Sequence, residues 1–549
     1  MKRNYSALLG KAALLFGAMS LFFCCSETIE SPSDPSILIS TDSDRLSKRL
    51  SLDGSGVIGI TAPNNPSGRM LSDDYAEKIS LILLSQATSP TFEGKTLQAT
   101  HVDIEGDFAY VGYNTSGATY LGAVEIFDIS DIYEPKIVTQ AIFKNADVSA
   151  LEYRDGLLYL AMAIDIENSD VTDPANLGVV SVSNGRFTSD FKYISVPGFV
   201  ATDVATTNEY IALVSGSNGL LAIFDRDLEI RGEIQVEDLR SVTFGEDRLA
   251  ILSGTKGASI LNPIFLFEVA AISLDQDVAQ AKRTMTIHDG HIYIAEGKNG
   301  AGVYDLTSGQ NINRLFIPIN PENVESGDIV TNSVSVEDNL LFMANGAAGI
   351  SVANVKNVEG LEEYGVVDLD GSSNFVRFED KFIFVATGAG GLQILKIVGN
   401  EDENGISATQ CEGLKSYTGS SNLNVNSNET MAFSGSAQLK NVNVGGNLLF
   451  CGSLAIENSL NINSNGVMEV NGSFAFGQYQ KNTALNINSN AVLRLSGSVV
   501  IYGDLRLNSG AKLEFVGPGT TVTVYGDVTI NSGATISGNF TDTEGKLKK

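Results

Sequence analysis

One β-rich stretch of sequence recurs seven times between Gln98 and Ile397, and no other feature limits the fold as much. Each copy opens on an alternating strand, turns at an acidic or glycine-containing pair, and returns as a second strand. A Gly-rich hairpin, a third strand and usually a fourth follow. His101-Val102-Asp103-Ile104-Glu105-Gly106-Asp107-Phe108-Ala109-Tyr110 can be laid over Met285-Thr286-Ile287-His288-Asp289-Gly290-His291-Ile292-Tyr293, and over Val334-Ser335-Val336-Glu337-Asp338-Asn339-Leu340-Leu341-Phe342. The aligned apolar positions Val102, Leu151, Val204, Val242, Met285, Val334 and Val376 lie 38 to 53 residues apart. A four-stranded antiparallel unit cannot bury both its faces alone, so a period of this length requires stacking on neighbours. Radial stacking gives a propeller and shields most sheet edges.

Ring closure supports the count of seven. The last unit supplies strands at Asn374–Glu379, Lys381–Thr387 and Gly391–Val398, then breaks off into the acidic stretch Gly399–Gly405 with no fourth strand. An orphan strand, Ile79-Ser80-Leu81-Ile82-Leu83-Leu84, precedes the first unit and resembles fourth strands such as Lys136–Phe143 and Tyr364–Leu369. It is expected to complete the seventh blade.

The third-strand pattern reads Gly122-Ala123-Val124-Glu125-Ile126-Phe127-Asp128-Ile129-Ser130-Asp131, with echoes at Gly219–Asp225, Gly302–Leu306 and Gly391–Leu395. These segments resemble the LVIVD-repeat β-propeller family, often found on bacterial surface lipoproteins, over residues 76 to 399. The resemblance implies a propeller placed outside the cytoplasm. It brings no reaction and no catalytic residues.

The N-terminus is consistent with that placement. Lys2, Arg3 and Lys11 precede the apolar run Ala12–Phe23, which is short for a membrane span and ends in Cys24-Cys25-Ser26-Glu27. This reads as a lipoprotein signal over 1–25, with Cys25 (or Cys24) carrying the lipid. Leu21 at −4 and a small residue at −1 favour Cys25. The expected location is the cell envelope, lipid-anchored at the outer membrane and exposed at the surface. Residues 26–75, rich in Ser, Asp, Pro and Gly, read as a flexible tether with short ordered pieces near Val57–Ile60.

After a linker or cap over 400–420, charge falls and Asn, Ser and Gly rise over 421–549. Asn426-Ser427, Asn463-Ser464, Asn488-Ser489, Asn508-Ser509 and Asn531-Ser532 each follow an alternating stretch, with Asn443-Val444-Gly445 as a weak sixth member. Spacings of 17 to 25 residues suit one turn of a β-solenoid, apolar residues inward and Asn stacked at a corner. An antiparallel sandwich is the alternative. Cys411 and Cys451 could form a disulfide within this domain. The terminal Lys546-Leu547-Lys548-Lys549 reads as a solvated tail. The whole chain is thus expected to be all-β: a seven-bladed propeller closed by an N-terminal strand, followed by a β-solenoid.

Net charge of −29 with no basic cluster argues against nucleic-acid partners. Asp165, Glu167, Asp170 and Asp173 crowd one loop, a weak calcium site without the spacing of a cation loop; no other cofactor is expected. Three histidines occur, of which His288 and His291 flank a turn and His101 begins an innermost strand. Two positions before each aligned apolar residue stand Thr100, Ser149, Thr202, Arg240, Arg283, Asn332 and Asn374. Innermost strands line the channel, so these seven polar residues would form a funnel for a small anion, a carboxylate or a sugar acid. Hydration alone would also keep a channel mouth polar. The reading that follows is a non-catalytic envelope lipoprotein that binds a protein, glycan or small anion on the channel face. The alternatives are a lyase or hydrolase on an acidic sugar with His101 as base, and a purely architectural component. Few histidines and no paired nucleophile weaken catalysis.

Overall fold

In the computed structural model, the described residues are 34–52, 56–58, 60–61, 79–115, 117, 119–274, 281–318, 324–398, 409, 411 and 413–547. Cys24, Cys25 and the acidic stretch at 401–403 lie outside them.

Seven antiparallel sheets follow one another around a ring, each with its first strand innermost. The second and third strands are near-continuous apolar runs, as in Leu157–Ile164 (LLYLAMAI) and Gly122–Asp128 (GAVEIFD). They are apolar on both faces because each sheet is sandwiched between two others. Tyr110, Val124, Val148, Leu151 and Leu160 form one such inter-blade core. The outer strands return to half-exposed alternation, as in Ile230–Gln235.

Several joining turns between first and second strands are two-residue pairs at positive φ. They include Asp155-Gly156 (52° and 86°), Asp289-Gly290 (47° and 71°) and Asp380-Lys381 (50° and 70°). This geometry matches the right-handed twist of the strands and favours Asp, Asn and Gly. Turn chemistry therefore sets a rim of carboxylates around that face of the ring.

The ring closes as the sequence implies. Ser80–Ala87 pairs antiparallel with Leu392–Val398, from Ser80↔Val398 to Ala87↔Leu392, and supplies the fourth strand of blade seven. The expected tether is corrected in part. Ile37–Ser40 adds a fifth strand to blade one, Leu50–Ser51 and Gly56–Val57 pair with Ser80–Ala87, and Ile60–Thr61 extends blade six. The outer strand of a blade offers unpaired backbone groups, and short apolar pieces such as Ile37-Leu38-Ile39 satisfy them despite the polar composition around them. Arg49 fixes this wrap by pairing with Glu125, whose side chain is fully buried in blade one.

The C-terminal domain is a β-solenoid of about six turns. Its strands pair in parallel throughout, which removes the sandwich alternative. Register aligns Val425, Val444, Ile462, Ile487, Leu507 and Ile530. The corner residue of the second rung is consequently Gly445, with Asn443 two positions earlier. Side-chain amides form ladders along the stack: Asn443 to Asn424 (3.0 Å), Asn461 to Asn443 (3.2 Å), Asn486 to Asn461 (2.9 Å), and at the corner Asn508 to Asn488 (2.9 Å) and Asn531 to Asn508 (3.0 Å). Cys411 and Cys451 form a disulfide with Cα atoms 5.8 Å apart. Lys546 and Leu547 depart from the expected solvated tail, while Lys548 and Lys549 lie outside the described residues. Leu547, 5% exposed, closes the end of the apolar core, and Lys546 Nζ donates to the Tyr525 carbonyl. Leu547 thereby covers the apolar end of the last described rung. Val500 and Tyr502 of the solenoid pack with Ile129 and Tyr133 of blade one.

Candidate binding sites in the propeller channel

Four innermost strands break register at the residue the repeat alignment singles out. The pairing skips between Ala99 and His101, Val148 and Ala150, Ala201 and Asp203, and Leu239 and Ser241. Thr100, Ser149, Thr202 and Arg240 are thus the extra residues of β-bulges, which re-aim a side chain out of the pleat. Asn332 and Asn374 stand just ahead of their strands, Ser333–Glu337 and Phe375–Glu379. These six residues line one cavity of about 310 Å³ at the channel mouth, joined by Gln98, Asn114 and Lys282.

Much of this polarity holds neighbouring blades together. Thr100 Oγ1 donates to the Val148 carbonyl (3.1 Å), Thr202 Oγ1 to Leu239 (2.9 Å), Asn332 Nδ2 to Ser373 (3.4 Å) and Asn374 Nδ2 to Ala99 (3.2 Å). The last of these joins blade seven to blade one. Arg240 pairs with Asp238 at 3.0 Å.

Arg283 is the exception. Its φ of +56° turns the side chain away from the channel. It is fully buried, and its Nε donates to the Ala295 carbonyl (3.2 Å). Its charge stands near Glu296, which also pairs with Arg314 (2.8 Å) and Tyr304. The preceding residue takes the expected place. Lys282 Nζ crosses the channel to the Ser149 carbonyl and lies 5.4 Å from the centre of the Phe375 ring. Burial pushes its pKa down to about 8, with the Asp203 carboxylate acting in the opposite direction.

Beyond Lys282 lies a second chamber of about 330 Å³, which His101, Asp103, Glu152, Asp203 and Arg377 help to line. His101 is 9% exposed, its ring 3.9 Å from that of Phe375. The Leu151 N–H meets its Nδ1 at 3.5 Å. Burial, then the charges of Lys282 and Arg377, hold its pKa well below the ordinary value, so the imidazole is neutral. A neutral imidazole can accept a proton. This second chamber is invisible to an alignment that follows only the strand entrances, although alternating Asp103, Glu152 and Asp203 mark its wall.

The remaining candidates do not converge. Asp165 Oδ1 accepts from the Glu167 N–H (3.0 Å) and Oδ2 from Asn168 Nδ2 (2.6 Å), while Asp173 accepts from Thr172 (3.0 Å). Asp170 is exposed, and among the described residues no three His, Cys, Asp or Glu side chains gather as a metal site. His288 and His291 face each other across the Asp289-Gly290 turn of blade five.

No family model matches the sequence, and comparison with curated proteins gives no match. Among solved structures, the WD40 β-propeller domain of Doa1 is similar over 57% of this chain and 96% of its own, at 12% identity and a TM-score of 0.40. The computationally designed Ika8 protein is similar over 63% of this chain and 98% of its own, at 11% identity and a TM-score of 0.36.

Proposed function

We propose that this chain is a non-catalytic lipoprotein of the cell envelope, anchored through Cys25 (or Cys24) and exposed at the outer-membrane surface. Its propeller holds a small anionic ligand, such as a carboxylate or sugar acid, at the channel mouth. The export-type N-terminus and the likeness of Gly122–Asp131 to surface LVIVD repeats support the placement. One observation carries the binding reading: six equivalent polar residues and Lys282 face a single cavity of about 310 Å³. Lys282 supplies an ammonium at its floor and Arg240 a guanidinium on its wall, where a carboxylate would gain charge-assisted bonds.

Calorimetric titration of the mature chain with galacturonate, glucuronate and succinate tests this reading. Saturable binding should be lost in Arg240→Ala and Lys282→Ala while the melting transition persists. Binding unchanged in both variants removes the mouth as the site. Mass spectrometry of the N-terminal peptide from cells expressing wild type and Cys25→Ser tests the anchor. A second, enzymatic reading rests on the neutral His101. It requires turnover of an acidic sugar that disappears in His101→Ala.

A further inference from the structure

Lys282 is held at both ends. Its backbone N–H donates to Asn332 Oδ1 (3.3 Å) and the Thr284 N–H to the Asn332 carbonyl (3.0 Å), so blade six clamps the segment from which the side chain starts. At the far end Nζ meets the Ser149 carbonyl at 2.6 Å, with the centre of the Phe375 ring 5.4 Å away. A long side chain is thereby ordered before any ligand arrives, which lowers the entropy cost of a reaction at its tip. Nζ pairs with no carboxylate among the described residues. The Asp203 carboxylate that acts on it already accepts from Ser241 Oγ (2.7 Å) and the Val242 N–H (3.1 Å).

The lysine is only partly buried and lines the mouth, where no carboxylate stands among the lining residues. Arg240 lines the same cavity and keeps its charge at every physiological pH. A lysine pushed by burial to about 8 adds something that a second fixed cation would not: a nucleophile near neutral pH. With one N–H given to Ser149, the neutral amine retains a lone pair for the cavity.

We propose that Lys282 captures a small α-keto acid as an imine, the carboxylate drawn to Arg240 and the keto carbon bonded to Nζ. This rests on the anion reading of the same cavity and adds the reactive group beside the charge. The Nζ lone pair attacks the keto carbon, whose π electrons move onto oxygen. One amine proton passes to that oxygen, and the hydroxyl then leaves as water with the second amine proton, forming C=N. No oxidant or reductant is consumed. Hydrolysis reverses the step, so the ligand is held and released without turnover.

Reductive trapping tests it. The mature chain is incubated with pyruvate and sodium cyanoborohydride at pH 7.5, digested, and its lysines compared by mass spectrometry. Hydride from the reagent and a proton from water should fix the imine as one carboxyethyl group on Lys282, at least tenfold faster than on other lysines. Succinate, which has the charge but no keto carbon, should protect Lys282. Arg240→Ala should slow trapping of pyruvate at least fivefold and leave trapping of uncharged acetone unchanged. Should that variant fail to fold, protection by succinate in the wild type decides. Adducts spread evenly over the lysines, equal slowing of acetone, or no protection by succinate would overturn the proposal. Calorimetric binding of succinate with Lys282 left unmodified by pyruvate would overturn it while the anion reading stands.

Discussion

Lys282 of blade five donates a 2.6 Å hydrogen bond to the carbonyl of Ser149 in blade two, across the axis of the ring. One side chain thereby divides the channel into a cationic mouth and an acidic chamber. It also holds a charge where burial disfavours one, and that has a measurable consequence.

Lys282 titrates at about 8 in the folded chain against an ordinary 10.5. Between those values the unfolded state binds more protons, so stability rises as pH climbs from 8 to 10.5, and the penalty is complete below 8. Lys282→Met should stabilise the propeller at pH 7 by up to about 3 kcal/mol and remove the rise above pH 8. Denaturant unfolding at pH 7, 8.5 and 10 measures both.

Glu152 behaves in the reverse sense. Its pKa is raised from 4.5 to about 8 by burial and by Asp103, so the native state binds the extra proton. Its contribution to stability is therefore present at low pH and is lost as pH rises from about 4.5 to about 8. Glu152→Gln, which keeps the Thr206 bonds, should flatten that part of the stability–pH curve.

Leu81 is fully buried in the strand that closes blade seven. Leu81→Ala should cost about 2–5 kcal/mol. Removal of residues up to Ala87 should abolish the cooperative unfolding transition, because blade seven then keeps three strands and an open edge. Differential scanning calorimetry reports both effects.

Asn461 donates to Asn443 and accepts from Asn486, so Asn461→Ala breaks two rungs of one ladder. Asn531 ends its ladder with a single bond to Asn508. A loss of about 1–2 kcal/mol is expected for Asn461→Ala and a clearly smaller one for Asn531→Ala, read from solenoid unfolding.

The blades, the closing strand and the solenoid were legible because each depends on alternation and period, which side-chain identity displays directly. The channel was legible only in part. Thr100, Ser149, Thr202 and Arg240 occupy equivalent bulges, so alignment located them together. Arg283 holds the equivalent alignment position, but its positive φ turns the side chain into blade five. A left-handed conformation at a residue other than glycine leaves little trace in sequence. The wrap by Ile37–Ser40 was hidden for another reason: edge pairing uses backbone groups, and four residues do not shift the composition of a polar stretch. Leu547 was hidden because the need for a lid exists only once the rungs are stacked.

The pairing of Ser80 with Val398 also dictates an order of events. A chain delivered from its N-terminus presents one half of this seam some three hundred residues before the other. Until then Leu81, Ile82 and Leu84 have no lasting place to go, and blade one lacks its neighbour on one side. Assembly must therefore wait for the final sheet to emerge. Contacts this distant along the chain make folding slow and leave sticky segments open during synthesis. Such a protein depends on being shielded until its last blade has emerged.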